Sequence, residues 1–505
     1  MPAPAPGSAP RLARARARAR AGAATARDSA VPLLPPVPAR VRPEARHDQG
    51  VDASPELSAA AGAHGGPLPP AVAGLVRTLS VAVFLQWAGA GALLPLLPLY
   101  VHHRSGSDLI VGAVMAAYFA AAFVFQYGAG RLSDRLGRLP VLVGGVLAYA
   151  LGSLLFLLPG PAALDVVFRG LQGAGAGAAM VAALAMIAHA VPLSHRGRAA
   201  GRLYGAELGG LAVGPVLGSL AGLGAMRWLF VAAAAVSLVS LVPVLFVRVP
   251  AAPLDTPLGA RPVPAAAGDN PDGGVPEGEP PRSGDGSAGP GGTAAPGTPA
   301  LDPRRAVRAV NGALVAAAMI GVTSGVYEAC WTLLMTRHGA SQWEIGVSWT
   351  LFALPYAIAS RPAGWLADHL DRRWLGIGAL VWSIAFLTTY PFLPGFVILM
   401  VLGTWESLGF AVAMPACQSL LGQGTPSDRH GHAQGLFAAS QTGATAVAAA
   451  CAGGLFGIAP WLPFVSGAAC CAVLVAAVAV IWRPVPGRVG QPAAETPASL
   501  SPHRA

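Results

Sequence analysis

The chain has 505 residues, 54% of them hydrophobic and 11% charged, whereas a soluble protein of this size carries roughly a quarter charged residues. Its net charge of +10 comes from 33 arginines and no lysine. Without lysine there is no P-loop to grip ATP phosphates, and with no soluble domain to present the arginines a nucleic-acid surface is excluded too.

Residues 1–70 are low in complexity, with Arg11, Arg14, Arg16, Arg18 and Arg20 alternating with Ala and Leu before a Pro-rich stretch. No apolar core follows the basic run, so it does not read as a secretory leader. A disordered cytoplasmic tail is expected; a later translation start, for instance at Val51, and an Arg-rich transit peptide are the alternatives. From residue 71 apolar runs recur at lengths near the ~20 residues of a membrane-crossing helix. Six fall at 76–101, 109–128, 140–159, 165–190, 201–222 and 227–247, giving an N-terminal half over 71–248. Residues 249–303, rich in Pro, Gly, Ala and Asp, read as a disordered cytoplasmic linker. Six more runs, at 307–336, 344–361, 374–392, 396–420, 434–457 and 461–482, give a C-terminal half over 304–483, and 484–505 reads as a second disordered tail. The expected fold class is an all-α membrane protein of twelve transmembrane helices in two six-helix pseudo-symmetric halves.

Arginines mark one side of the membrane. Arg131, Arg135 and Arg138 follow the second run, Arg196, Arg198 and Arg202 the fourth, Arg372 and Arg373 the eighth, and Arg429 the tenth. The opposite loops hold Arg104, Arg227 and Arg337. The positive-inside rule then places both termini and the linker in the cytoplasm of a multi-pass plasma-membrane protein. The halves also repeat: Ser107-Asp-Leu-Ile-Val-Gly112 returns as Ser341-Gln-Trp-Glu-Ile-Gly346, and Gly130-Arg-Leu-Ser-Asp134 as Gly364-Trp-Leu-Ala-Asp368, both at an offset of 234. Parallel repeats with a substrate site between them are the expected architecture.

The segment Gly130-Arg-Leu-Ser-Asp134-Arg135-Leu-Gly137-Arg138 carries the most specific signal. Gly130 permits close helix approach, Asp134 suits a helix N-terminus, and Arg135 and Arg138 suit carboxylates or lipid phosphates. A generic basic loop is the plain alternative. The segment resembles the loop 2–3 signature of the major facilitator superfamily (Gly, three residues, Asp, basic, any, Gly, basic), and the resemblance implies a gate. The second copy, with Gly364, Asp368 and Arg372, departs from it: His369 replaces the first basic residue and Asp371 stands where Gly137 stands, which weakens its gating role.

Arg169-Gly-Leu-Gln172-Gly173-Ala-Gly175-Ala-Gly177 resembles the family's helix 4 signature. Arg169, Gly173 and Gly177 share a helical face, and the resemblance implies that Arg169 takes part in proton coupling. Snorkelling of Arg169 to the interface is the alternative. Gly210-Leu-Ala-Val-Gly214-Pro215-Val-Leu-Gly218-Ser219 resembles the helix 5 motif of the drug/proton antiporter (exporter) branches, with Ser219 in place of the usual Gly. Gly210, Gly214 and Gly218 form an i, i+4 packing ridge and Pro215 a kink.

Intramembrane acids are functional candidates by default. Glu328, Glu406 and Glu207, with Arg169, are the proton-coupling candidates; structural hydrogen bonds are the alternative for each acid. Ser324, Tyr327, Glu328 and Trp331 fall on one face of the seventh helix. Gln86, Gln172, Tyr327, Trp331, Trp382 and Trp405 are candidates for the substrate cavity, with Trp349, Phe352 and Tyr356 as further aromatics suited to a flat or cationic molecule. The first helix offers Gln86 and Trp87 where many drug exporters carry an acid. His430, His432 and Asp428 are too sparse for a metal site, and the five cysteines show neither metal nor disulfide spacing. The expected function is secondary active, proton-coupled efflux of small amphiphilic organic molecules by a monomer without cofactor or enzymatic activity. A sugar or metabolite transporter of the same fold, in either direction, and a non-transporting sensor are the rivals.

Overall fold

The computed structural model describes residues 70–191, 193–246, 301–426 and 429–487. The tail and linker expectations at 1–69, 247–300 and 488–505 lie outside the described residues, as does Asp428.

Thirteen α-helices make up the described chain, with no strand among the described residues. The first span is α1 (Pro70–Leu93) and α2 (Leu97–Ser105). Pro95 and Pro98 break the run expected at 76–101, because each lacks the N–H that a continuous helix would use. Spans two to six are α3 (Asp108–Leu136), α4 (Arg138–Leu155), α5 (Leu164–Ala190), α6 (Leu193–Ala221) and α7 (Met226–Leu245). Spans seven to twelve are α8 (Pro303–Arg337), α9 (Gln342–His369), α10 (Arg372–Thr389), α11 (Phe396–Gln423), α12 (His430–Ile458) and α13 (Leu462–Trp482). Eleven of the twelve are long and apolar enough to cross a bilayer by composition. The exception, α9, has 28 residues but carries Glu344, Arg361 and Asp368 among Trp, Tyr and Pro, as suits a helix with a wet face.

The helices outrun their hydrophobic cores. The segment Gly130–Leu136, expected in a loop, is the last two turns of α3, and only Gly137, with φ +93°, separates it from α4. Likewise α6 begins at Leu193 rather than near 201, and α9 continues to His369. Hydropathy marks where lipid ends; a helix stops only at a backbone signal, here a positive-φ glycine that other side chains resist.

The same pairings occur in both halves. Span one lies on five and six, two on four, and three on four and six; correspondingly seven lies on eleven and twelve, eight on ten, and nine on ten and twelve. Two seams join the halves, α3 with α12 and α6 with α9.

At one end both seams are tight, and the repeated Ser-x-x-x-x-Gly motif makes them so. A Cβ on Gly112 would come within 2.8 Å of the Ala449 carbonyl oxygen and of the Gly453 Cα. A Cβ on the equivalent Gly346 would collide with Ser219. Nearby, the Leu223 N–H donates to Gln342 Oε1 at 2.6 Å and the Thr350 hydroxyl to the Ala212 carbonyl at 2.7 Å. At the other end the helices splay. Gly128, Gly130, Gly201, Gly205, Gly364, Gly431 and Gly435 have nothing within 4 Å of a built Cβ. The expected close approach at Gly130 is therefore absent in this conformation. The molecule is closed at the end bearing Gly112 and Gly346, and open at the end bearing Arg135, Arg198, Arg372 and Arg429.

Candidate transport site

In the N-terminal half, α5 wedges between α3 and α4. A Cβ on Gly173 would overlap the Tyr118 carbonyl oxygen, and one on Gly177 would lie 2.9 Å from that of Ala122; on the opposite face Gly175 meets Gly145 and Tyr149. This contact carries Arg169 over the Tyr118 ring, its guanidinium carbon 4.4 Å from the centroid, a cation–π geometry. Arg169 Nη1 donates to Gln172 Oε1 at 2.8 Å, Gln172 Nε2 to Ser153 Oγ at 2.9 Å, and the Ser153 hydroxyl to the Tyr149 carbonyl at 3.0 Å. Gln172, expected on the cavity wall, is fully buried and spends its amide on orienting Arg169. Arg169 is buried among α3, α4 and α5, away from the lipid interface where a snorkelling arginine would end.

In the C-terminal half, successive residues of α8 point to different surroundings. Tyr327 turns into the bundle, where its hydroxyl donates to Glu406 Oε1 at 2.7 Å. From the end of α10 the Tyr390 hydroxyl donates to Glu406 Oε2, also at 2.7 Å, and Ser383 adjoins the same carboxyl. Trp331 packs edge-on to Tyr390, 5.2 Å between centroids, and its indole N–H donates to Ser348 Oγ at 2.9 Å. Glu406 is 1% exposed and both its oxygens are engaged. Tyr327 and Trp331 are thus parts of its cage rather than of an open wall.

Glu328 is different. Its Oε2 is buried with no hydrogen-bond partner. Among the described residues it makes no ion pair, yet Arg169 of the other half is close enough to act on its charge. Tyr118 lies within the same electrostatic range of Arg169, Glu328 and Glu207. Five spans from both halves therefore converge there: α3, α5, α6, α8 and, through Tyr356 beside Glu207, α9. Gln86, 9% exposed, has both amide atoms unpartnered and lines a cavity of about 40 Å3 inside the N-terminal half with Tyr118, Tyr149 and Ser240.

Trp382 and Trp405 lie elsewhere. The Trp382 indole N–H donates to the Trp405 carbonyl at 3.3 Å, and Trp405 is 56% exposed. It belongs to the exposed stripe Val397, Val401, Trp405 and Leu408 of α11, which continues to the closed end and so faces the bilayer. Alternation of wet and lipid faces is not visible in hydropathy, because tryptophan suits both.

The helix 5 glycines hold α6 against α1. A Cβ on Gly210 would come 2.6 Å from the Phe84 carbonyl oxygen and one on Gly214 2.5 Å from that of Ala88; Gly218 abuts Ala92, while Pro215 packs on Gly91. Of the gating motif, Arg135 and Gly137 are exposed and Arg138 is half-buried at the open end; the side chains of Asp134 and Asp368 lie outside the described ones. The second copy is built differently. Asp371 caps α10, accepting from Arg373 N–H at 3.0 Å and from its Nη2 at 2.7 Å. Hydrogen bonding to the Arg373 guanidinium holds the Asp371 carboxyl below the usual aspartate range. The backbone after α13 seals this loop: Arg372 N–H donates to the Gly487 carbonyl at 3.0 Å and Arg373 Nη1 to that of Arg483 at 3.1 Å.

Tyr118, Tyr149, Ser153, Ser348, Ser383 and Tyr390 were not legible as site residues. Ser153 and Ser383 sit on α4 and α10, the third and ninth spans, whose apolar runs hide a single hydroxyl. Only knowledge of which helices touch would have picked them out.

Residues 79–327 and 312–504 match the Major Facilitator Superfamily. Over 170 residues the chain is 37% identical to an uncharacterized MFS-type transporter of Mycobacterium tuberculosis, covering 33% of this chain and 24% of that protein. Over 168 residues it is 31% identical to multidrug resistance protein 2 of Bacillus subtilis, covering 33% and 41%. Over 175 residues it is 31% identical to the class E tetracycline resistance protein of Escherichia coli, covering 33% and 42%. The chain thus spans less than half the length of these relatives. Among solved structures, an inward-facing, occupied bacterial homolog of the human lysosomal transporter Spinster aligns with TM-score 0.58 at 14% identity, over 83% of this chain and 97% of that one. A nucleoside transporter aligns with TM-score 0.57 at 14% identity, over 81% and 100%; at such identities the likeness is one of fold. With matched segments reaching across both halves, the chain belongs to the Major Facilitator Superfamily.

Proposed function

We propose that this transporter exports small amphiphilic organic molecules across the plasma membrane in exchange for protons, by alternating access, with its open end in the cytoplasm. The observation that carries this reading is the Glu328 carboxyl: membrane-embedded, lacking a partner for Oε2, and within electrostatic range of Arg169 of the other half. A buried carboxylate without a partner is costly, and protonation removes that cost. A proton arriving at Glu328 weakens the attraction between the halves at that point; its loss restores it. Such a group links its protonation to the relative position of the halves, which is what exchange transport requires. Glu406, with both oxygens engaged, has no such freedom.

Two further features support the direction. The exporter-like helix 5 ridge is packed along its length on α1, and named relatives include multidrug and tetracycline resistance proteins. The arginines at the open end favour a cytoplasmic placement of that end. The gating motif and the two halves at 71–248 and 304–483 are assigned their roles on the family pattern.

The test is transport by the purified chain in proteoliposomes of defined orientation, loaded with a panel of neutral and cationic aromatic amphiphiles. An imposed pH gradient is expected to drive accumulation against the substrate gradient, and dissipating it with a protonophore to abolish it. Gradient-independent transport, or accumulation that follows the proton's own direction, would overturn the reading.

A further inference from the structure

We infer that the exposed stripe at the end of α9 formed by Arg361, Trp365 and His369 is a binding site for the headgroup of an anionic phospholipid, in the leaflet at the open end.

Leu354, Ile358, Arg361, Trp365 and His369 recur at helical spacing on one face of α9, and all five are exposed. The same face carries Trp343, 45% exposed, at the closed end where the halves are sealed together. It therefore looks onto the bilayer rather than onto the space between the halves. Its chemistry changes at Arg361, where the apolar run of α9 ends. Leu354 and Ile358 before that point suit acyl chains, and the two turns beyond it lie at headgroup level. There Trp365 is 62% exposed. The His369 ring stacks on its indole, with centroids 4.3 Å apart and planes 31° apart, and His369 Nδ1 lies 2.8 Å from the Trp365 carbonyl oxygen. The two contacts hold both rings in place as an aromatic step. Trp374, on the first turn of α10, is 68% exposed at the same end. Tryptophan is favoured at this depth, with its body in the chains and its N–H among the headgroups.

Arg361 decides which lipid fits. Among the described residues its guanidinium makes no hydrogen bond and no ion pair. The neighbouring arginines are already committed: Arg372 Nε donates to the Ala367 carbonyl at 2.9 Å, and Arg373 to Asp371 and to the Arg483 carbonyl. Asp371 is taken up by the same contact and leaves Arg361 unneutralised. A guanidinium at the edge of the hydrocarbon is best served by a phosphate, which its planar fork can hold through two N–H groups at once. A zwitterionic headgroup brings its own ammonium to compete for that phosphate, whereas an anionic one brings none. Charge complementarity thus selects the anionic lipid, while Trp365 and the apolar turns before Arg361 accept the part common to both.

The experiment is native mass spectrometry of the purified full chain, titrated with phosphatidylglycerol or with phosphatidylcholine of the same chains, reading the affinity of the first lipid bound. The wild-type chain is expected to bind phosphatidylglycerol about fivefold more tightly, as for one basic group at an anionic membrane surface. Arg361→Gln should erase the preference, Arg361→Lys should keep most of it, and Trp365→Leu should weaken the binding of both lipids. Arg227→Gln, which changes an exposed arginine of the closed end, should leave the preference at its wild-type value. An unchanged unfolding temperature reports that each variant is folded. Equal affinities in the wild-type chain, an undiminished preference in Arg361→Gln, or an equal loss in Arg227→Gln would overturn the inference. Displacement of the lipid by glycerol 3-phosphate at matched concentration would overturn it too, by making the site one for soluble phosphate. No transport enters the measurement, so its outcome is independent of the export reading.

Discussion

Glu328 and Glu406 are the same residue type, both embedded in the C-terminal half, and the packing around them makes them opposites. Glu406 receives hydroxyls from Tyr327 and Tyr390 at 2.7 Å each and is sealed from water. Glu328, next in sequence to one of those tyrosines, leaves Oε2 unpartnered and faces a cation of the other half. A 100° step along α8 separates Tyr327, which holds the caged Glu406 carboxyl, from Glu328, whose Oε2 has no partner. Burial alone does not make an acid a coupling site; the state of its hydrogen-bonding capacity decides.

The largest effect expected on this contrast comes from Glu406→Ala. Two buried tyrosine hydroxyls lose their acceptor, each at about 1–3 kcal/mol, so thermal unfolding of the purified chain should move down sharply with little protein recovered in the membrane. A variant as stable as wild type would show that the cage is not structural. Tyr390→Phe removes one donor and keeps the ring, and should cost about 0.5–1.5 kcal/mol by the same assay. Gln172→Leu sharpens the comparison from the other side. It frees Arg169 from its hydrogen bond without touching Glu328, so the protein should stay folded while the pH profile of transport shifts and its rate falls a few-fold. An unchanged profile would remove Gln172 as a positioning residue.

The smallest effect is expected at the second loop. Asp371→Ala removes the carboxylate that orients Arg373 beside the chain after α13, and should lower stability by no more than ~1 kcal/mol, as for a partly exposed ion pair. The sign of its pH dependence is fixed by the depressed aspartate. Its contribution is fully present above the ordinary value near 4 and is lost only as the pH falls through the lower folded-state value. Between pH 5 and 8 wild type and Asp371→Ala should therefore differ by a constant amount in unfolding temperature; a gap that narrows across that window would contradict the arrangement.

Much of the fold was legible in the sequence because lipid imposes a simple rule: each crossing needs an apolar run of known length. The offset shared by Gly112 and Gly346 even marked the residues at which the halves close, though not that they touch Gly453 and Ser219. Helix ends were less legible, since α3 runs through the gating motif to Gly137 long after its hydropathy has failed. The site was the least legible part. Three acids looked alike in sequence, and tryptophans at 331, 382 and 405 looked alike too. Glu406 and Trp331 went into a bundle core, Trp382 and Trp405 to the bilayer, and only Glu328 and Glu207 to the space between the halves. Those fates depend on which helix lies beside each turn, which one-dimensional periodicity does not carry.

Proton coupling at Glu328 and not at Glu406 is tested directly by Glu328→Gln in proteoliposomes, assayed for both proton-driven accumulation and substrate counterflow. The amide keeps the shape of a protonated carboxyl but releases no proton. Glu328→Gln is expected to lose proton-driven accumulation by roughly tenfold or more while counterflow continues near the wild-type rate. Proton-driven accumulation at the wild-type level in Glu328→Gln would contradict it.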